Sequence, residues 1–107
     1  MSGVQRLAAA RVVSAAARFA TGGVEVSQDD AVAELQAITR DPVALGYALG
    51  VFLHRAETDS ATNQVSVDAL RAAGAQEDIA ATKLAWMRWR ADVESHNWMR
   101  RRQKGAT

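Results

Sequence analysis

The stretch DPVALGYALGVFLHRAE, residues 41–57, decides the fold because it predicts a single helix that is apolar nearly all round. Asp41 followed by Pro42 is a helix-start signal, since a carboxylate caps free backbone amides and proline suits the first helical position. A helix that is apolar on every side must be surrounded by other elements. We therefore expect it to lie buried at the centre of a helical bundle. Gly46 and Gly50, four residues apart, predict that a neighbouring helix approaches it closely.

The residues on both sides of this stretch also follow the helical period. Residues 58–65, TDSATNQV, are the exception, because their polar and turn-forming composition predicts a mobile loop. The expected helices are residues 3–20, a helix capped by Ser27, the central helix, a short helix capped by Ser66 and closed by Gly74, and a long helix from residue 75 to at least Trp98. The sequence thus predicts an all-α fold, a single small bundle of about five helices in one domain of residues 1–107.

The core of this bundle must rest on few large side chains. Hydrophobic residues make up 49% of the 107-residue chain, but alanine, which buries little area, supplies many of them. The expected large core residues are Leu35, Ile38, Leu45, Tyr47, Leu49, Phe52, Leu53, Leu70, Ile79, Leu84 and the three tryptophans. Cysteine is absent, which excludes disulfide frameworks, thiolate metal sites and cysteine nucleophiles.

The net charge of +1 conceals an uneven distribution of charge along the chain. Residues 1–26 carry three arginines against Glu25, whereas residues 27–83 carry nine acids against four bases. Residues 84–107 carry six bases against Asp92 and Glu94. Two basic ends therefore flank an acidic middle, a pattern that favours docking between unlike surfaces over a uniform coat for binding polyanions.

The first 24 residues contain no acid and are rich in alanine with spaced arginines, as in an organelle-targeting helix. We predict a cytoplasmic protein, with a mitochondrial location as the alternative if residues 1–23 form a separable targeting helix. In that alternative the chain is a small accessory subunit of an organelle complex. The longest apolar run, residues 42–53, is too short to span a bilayer, which takes about 20 residues.

The last predicted helix carries two apolar rows and therefore predicts a protein-docking function. In its first row the apolar residues alternate between spacings of three and four residues, as along the seam of a coiled coil. A small bundle usually covers only one face of its last helix. The second row favours another neighbour, either a protein partner or a second copy of the chain. The alternative is that both rows pack within the core of the bundle. In the homodimer the acidic middle of one copy would face the basic end of the other. The expected partner-binding residues are Trp86, Trp89, Val93, Trp98 and Arg100.

Nucleic-acid binding is the alternative function, and it would use the basic tail at residues 99–107. Tryptophan beside cations can stack on bases while the cations bind phosphate. Acidic residues interrupt the basic rows upstream, so only the end of the chain gathers cations without acids. The expected nucleic-acid-binding residues are Arg100, Arg101, Arg102 and Lys104.

The sequence carries no pattern for catalysis, a cofactor or a metal ion. His54 and Glu57 lie three residues apart, but di-iron bundles need Glu-x-x-His on each of two helices, and here the order is reversed and occurs once. Phosphate loops and nucleophile elbows do not occur in the sequence. We therefore predict a non-enzymatic protein with no cofactor, no metal site and no catalytic residue.

Overall fold

Across the residues that the structure describes, the chain forms four helices with short links between them. The computed structural model describes the backbone of residues 2–21 and 25–105, and the side chains of these ranges except at positions 21, 60 and 95–105. The helices are α1 (Gly3–Thr21), α2 (Gln28–Ile38), α3 (Pro42–Ala56) and α4 (Ser60–Gly105). All regular secondary structure in the described ranges is helical, so the predicted all-α class is confirmed.

The structure has four helices where the sequence predicted about five, because the last two expected helices join into one element of 46 residues. The sequence predicted that Gly74 closes a helix, but Gly74 lies inside α4. The interruption comes at Asp78, whose φ of −162° and ψ of 104° are extended. We name residues 60–77 of α4 the proximal segment and residues 79–105 the distal segment.

The carboxylate of Asp78 starts the distal segment as an N-cap. Asp78 Oδ1 accepts a hydrogen bond from the Ala81 amide at 3.0 Å, and the Thr82 hydroxyl donates to the Asp78 carbonyl at 2.8 Å. The first of these bonds satisfies an amide that a helix leaves free at its first turn. The side chain of Thr82 then packs on Gly74, where an added Cβ would lie 2.5 Å from Thr82 Cγ2. The glycine therefore serves the close packing of the two segments.

The predicted loop at 58–65 is wrong, since α4 already begins at Ser60. Its cap is Asp59, whose Oδ1 accepts the Thr62 amide at 3.1 Å. Hydrogen bonds from the Thr62 hydroxyl and amide lower the pKa of Asp59. The predicted cap Ser66 is also wrong, because its fully buried hydroxyl donates to the Ala16 carbonyl of α1 at 2.6 Å.

The predicted starts of α2 and α3 are confirmed. The Ser27 hydroxyl accepts the Asp30 amide at 3.2 Å, and Asp41 Oδ1 accepts the Val43 amide at 2.9 Å. The second oxygen of Asp41 accepts the side-chain amide of Gln5 at 3.0 Å, which ties α1 to the beginning of α3.

The central position of α3 is confirmed, since Leu45, Leu49 and Phe52 are at most 1% exposed. The helix packs most extensively against α4. The other fully buried members of the core include Val12 of α1, Leu35 of α2 and Leu70 of α4. Two residues expected in the core lie outside it: Ile79 is 68% exposed and Leu84 is 51% exposed.

Helix α1 supplies part of this core. Ala9, Val12, Ala15 and Ala16 are buried. At the surface, Arg18 of α1 forms an ion pair with Glu34 of α2 at 3.0 Å. Among the helices as far as they are described, none is both long enough and apolar enough to cross a membrane.

Candidate functional site on the distal segment of α4

The inner face of the distal segment lies directly against α3. A Cβ added to Gly46 would meet the carbonyl of Thr82 and come within 2.7 Å of Ala85 Cβ. One added to Gly50 would lie 2.9 Å from Trp89 Cε3. The absence of side chains at these two glycines therefore lets the helices touch, as their spacing predicted. This contact fixes the orientation of the distal segment on the bundle.

Trp89 is held in this interface by two rings of α3. Its ring centroid lies 6.2 Å from that of Tyr47 with an interplanar angle of 80°, and 5.8 Å from that of His54 with an angle of 62°. Such edge-to-face pairs contribute about 0.5–1.5 kcal/mol beyond the area they bury. The half-buried ring of Trp89 thus helps to hold the distal segment on α3.

The other residues predicted to bind a partner fall into two groups. Trp86 is half-buried and packs against the core, and Val93 is half-buried beside it on the same face. Trp98 and Arg100 belong to the helical backbone, but their side chains lie outside the described residues. The same holds for the side chains predicted to bind nucleic acid, Arg101, Arg102 and Lys104. The structure therefore brings together Trp86, Trp89 and Val93 along the inner face.

The outer face of the distal segment carries the second apolar row, which we name the outer row and define as Ala80, Leu84, Met87 and Ala91. All four residues are exposed, with Leu84 at 51% and Met87 at 47%. At about 100° per residue, the row lies roughly opposite the side that contacts α3. No described element covers it. This is the face for which the sequence favoured a further neighbour.

A groove runs beside the outer row, between the distal segment and the starts of α1 and α3. Its volume is about 640 Å³. Val43, Tyr47 and Leu84 supply apolar surface, while Arg6 and Arg88 also line it. We name this cavity the α1–α4 groove. It was not foreseen from the sequence, because it depends on how three separate helices meet.

A group of charged side chains clamps the end of α3 to the distal segment. Arg90 lies between two carboxylates, with 3.1 Å to Glu57 Oε1 and 3.1 Å to Glu94 Oε1. His54 Nδ1 lies 3.4 Å from the other oxygen of Glu57. Half-exposed pairs of this kind each contribute about 0–1 kcal/mol. Because a guanidinium occupies the space between the acids, the cluster suits a structural clamp.

The described residues contain no group of three histidine or acidic side chains arranged to hold a metal ion. No protein-family model matches the chain, and no curated protein or solved structure is significantly similar to it. Function must therefore be argued from the exposed surface of the distal segment.

Proposed function

We propose that the protein is a non-enzymatic docking or assembly protein that binds a helix of another protein chain through the outer row. The observation that carries this proposal is the exposure of Leu84 and Met87 at helical spacing on a face that no described element covers. Full burial of one such side chain is worth about 1.5–3 kcal/mol. A partner helix that covers both would therefore gain an appreciable part of its binding free energy here.

The tryptophans have different roles in this proposal. Trp86 and Trp89 pack toward α3 and hold the distal segment in place, so they support the docking surface from beneath. Trp98 follows Ala91 by seven residues and therefore continues the outer row along the helix. We retain Trp98 as a partner anchor and Arg100 as a further partner-binding residue.

The rival proposal is nucleic-acid binding through the basic residues at 100–104. It is supported by the run Arg100-Arg101-Arg102 and opposed by the acidic Asp92 and Glu94 in the preceding turns.

The cellular location is also a proposal. We propose a cytoplasmic location, or a mitochondrial one if the first helix is a targeting sequence.

The docking proposal is tested with a fluorescein-labelled amphipathic peptide of about three heptads, with leucine at positions a and d and glutamine at e and g. We expect it to bind the full chain, as measured by fluorescence anisotropy. Leu84→Asp should weaken binding at least about tenfold, because a charge would then face the apolar surface of the peptide. The matched control is Val65→Asp on the proximal segment, where Val65 is 41% exposed, and it should bind normally.

Labelled oligonucleotides are titrated with the same protein at low and physiological salt. If the peptide does not bind while an oligonucleotide binds with steep salt dependence, the docking proposal is overturned in favour of nucleic-acid binding. Equal weakening by Leu84→Asp and Val65→Asp would also overturn the assignment of the outer row.

A further inference from the structure

The charged residues beside the outer row indicate which kind of partner would bind there. This inference rests on the proposed docking function and makes it more specific. In the α1–α4 groove, Arg6 and Arg88 are exposed at one flank of the row. At the other flank, Arg71 and Lys83 line a second cavity of about 240 Å³ between the two segments of α4.

These four cations have no acidic partner within the described part of the chain. Three other surface arginines do pair: Arg18 with Glu34, Arg40 with Glu77, and Arg90 with Glu57 and Glu94. Arg11 and Arg55 are exposed without an ion pair to a described residue, but neither lines the two cavities beside the outer row. Asp92 lines the α1–α4 groove but forms no ion pair with any side chain that the structure describes. Among the described residues that line the two cavities, four are cations outside ion pairs and one, Asp92, is an acid, so positive charge predominates on both flanks of the outer row.

The same arrangement disfavours a symmetric pair of distal segments from two copies of the chain. With Leu84 and Ala91 at heptad positions a, the unpaired cations Lys83 and Arg88 occupy a g and an e position, respectively. Parallel pairing would place the g residues of one copy beside the e residues of the other. Antiparallel pairing would place g residues beside g residues and e residues beside e residues. Either arrangement sets cations against cations, which costs binding free energy.

Tyr47 adds a polar group to the apolar floor of the groove. Its ring is half-buried against Trp89, and its hydroxyl has no hydrogen-bond partner among the residues described. A phenolic hydroxyl both donates and accepts. It could therefore bind a carboxylate or carbonyl of a segment that enters the groove beside Leu84.

We propose that the occupant of this surface is an acidic amphipathic helix of a different protein, with apolar residues on one face and Glu or Asp along both edges. Its apolar face would cover Leu84 and Met87. Its acidic edges would meet Arg6 and Arg88 on one side and Arg71 and Lys83 on the other. This is helix-in-groove recognition, in which apolar burial gives affinity and flanking charge selects the partner.

The test compares three versions of the labelled peptide on the full-length protein, with Glu, Gln or Lys at every e and g position and leucine unchanged at a and d. We expect the Glu peptide to bind at least about tenfold more tightly than the Gln peptide, and the Lys peptide to bind most weakly. The preference for Glu should shrink as salt rises, because exposed charges are screened.

Two matched substitutions locate the effect. Arg88→Glu, in the groove, should weaken binding of the Glu peptide by roughly five- to tenfold and leave the Gln peptide less affected. Arg11→Glu makes the same charge change at an exposed position of α1 outside the groove, and it should leave the order of the three peptides unchanged. A circular dichroism spectrum of each variant establishes that it folds.

The outcomes separate this inference from the function on which it rests. Equal binding of the Glu, Gln and Lys peptides, lost with Leu84→Asp, would overturn the acidic partner and leave the docking function standing. The absence of binding by all three peptides would overturn both. Self-association of the chain that Leu84→Asp abolishes, together with no preference for the Glu peptide, would make a second copy the occupant and overturn the acidic partner.

Discussion

Single glycines determine how tightly the helices of this protein pack. A Cβ added to Gly46 would meet the Thr82 carbonyl of α4. This group belongs to the backbone and cannot rotate away as a side chain can. At Gly3 an added Cβ would meet nothing within 4 Å. A methyl group is therefore blocked at Gly46 and has open space at Gly3. The effect of alanine on the free energy of unfolding should differ accordingly between the two positions.

We predict that Gly46→Ala lowers the free energy of unfolding by about 1–3 kcal/mol, because the new methyl group forces α3 and α4 apart. The measurement is urea unfolding followed by tryptophan fluorescence. Gly3→Ala is the control, and it should change stability by less than about 0.5 kcal/mol. Equal effects of the two substitutions would show that α3 and α4 are not in backbone contact at Gly46.

At the scale of elements, the sequence predicted helix starts well where a capping residue stands beside an extended link. Ser27 and Asp41 are examples. It failed inside α4, where tertiary contacts override local preference. Ser66 has the chemistry of a cap, but its hydroxyl bonds to α1 instead. Gly74 has the chemistry of a helix end, but it makes room for Thr82.

The candidate site, like the helices, could be predicted from the sequence only in part. The outer row was foreseen because it depends on the spacing of residues along one helix. The α1–α4 groove and the Arg90 cluster could not be foreseen, since they join residues far apart in the chain. Arg90 and Glu57, for example, are 33 positions apart. Local periodicity contains no information about which helices become neighbours.

The corner of α4 should depend on the capping carboxylate of Asp78. We predict that Asp78→Ala lowers the free energy of unfolding by about 1 kcal/mol, since the Ala81 amide loses its acceptor. Asp78→Asn keeps a side-chain oxygen in place and should retain most of the stability. Urea unfolding of the two variants checks this, and equal losses would mean that the charge at Asp78 matters more than its hydrogen bond.

At the scale of the whole molecule, the four helices share one core to which α1 contributes. Val12 and Ala16 are fully buried, and the carbonyl of Ala16 accepts the buried hydroxyl of Ser66. We propose from this that residues 1–107 fold as one domain. The basic, acid-free composition that suggested a targeting helix is thus compatible with a structural role for α1.

We predict that deletion of residues 1–23 abolishes cooperative thermal unfolding, because it exposes the apolar surfaces that α1 covers on the other helices. The measurement is thermal melting followed by circular dichroism, with the full chain as reference. A melting temperature that stays the same after the deletion would instead favour a separable targeting helix and the mitochondrial alternative.

The contacts at Gly46, Gly50 and Gly74 also have an evolutionary consequence. At each of these positions a side chain would begin where atoms of α4 already lie, so a chain that keeps this arrangement is expected to keep glycine there, above all at Gly46, where the neighbour is a backbone carbonyl. Most apolar core positions tolerate exchange among apolar residues more readily, whereas capping residues such as Asp41 and Asp78 keep requirements of their own. A distant homologue would therefore be recognised less by overall identity than by two glycines four apart in one helix, followed by a third glycine one helix later.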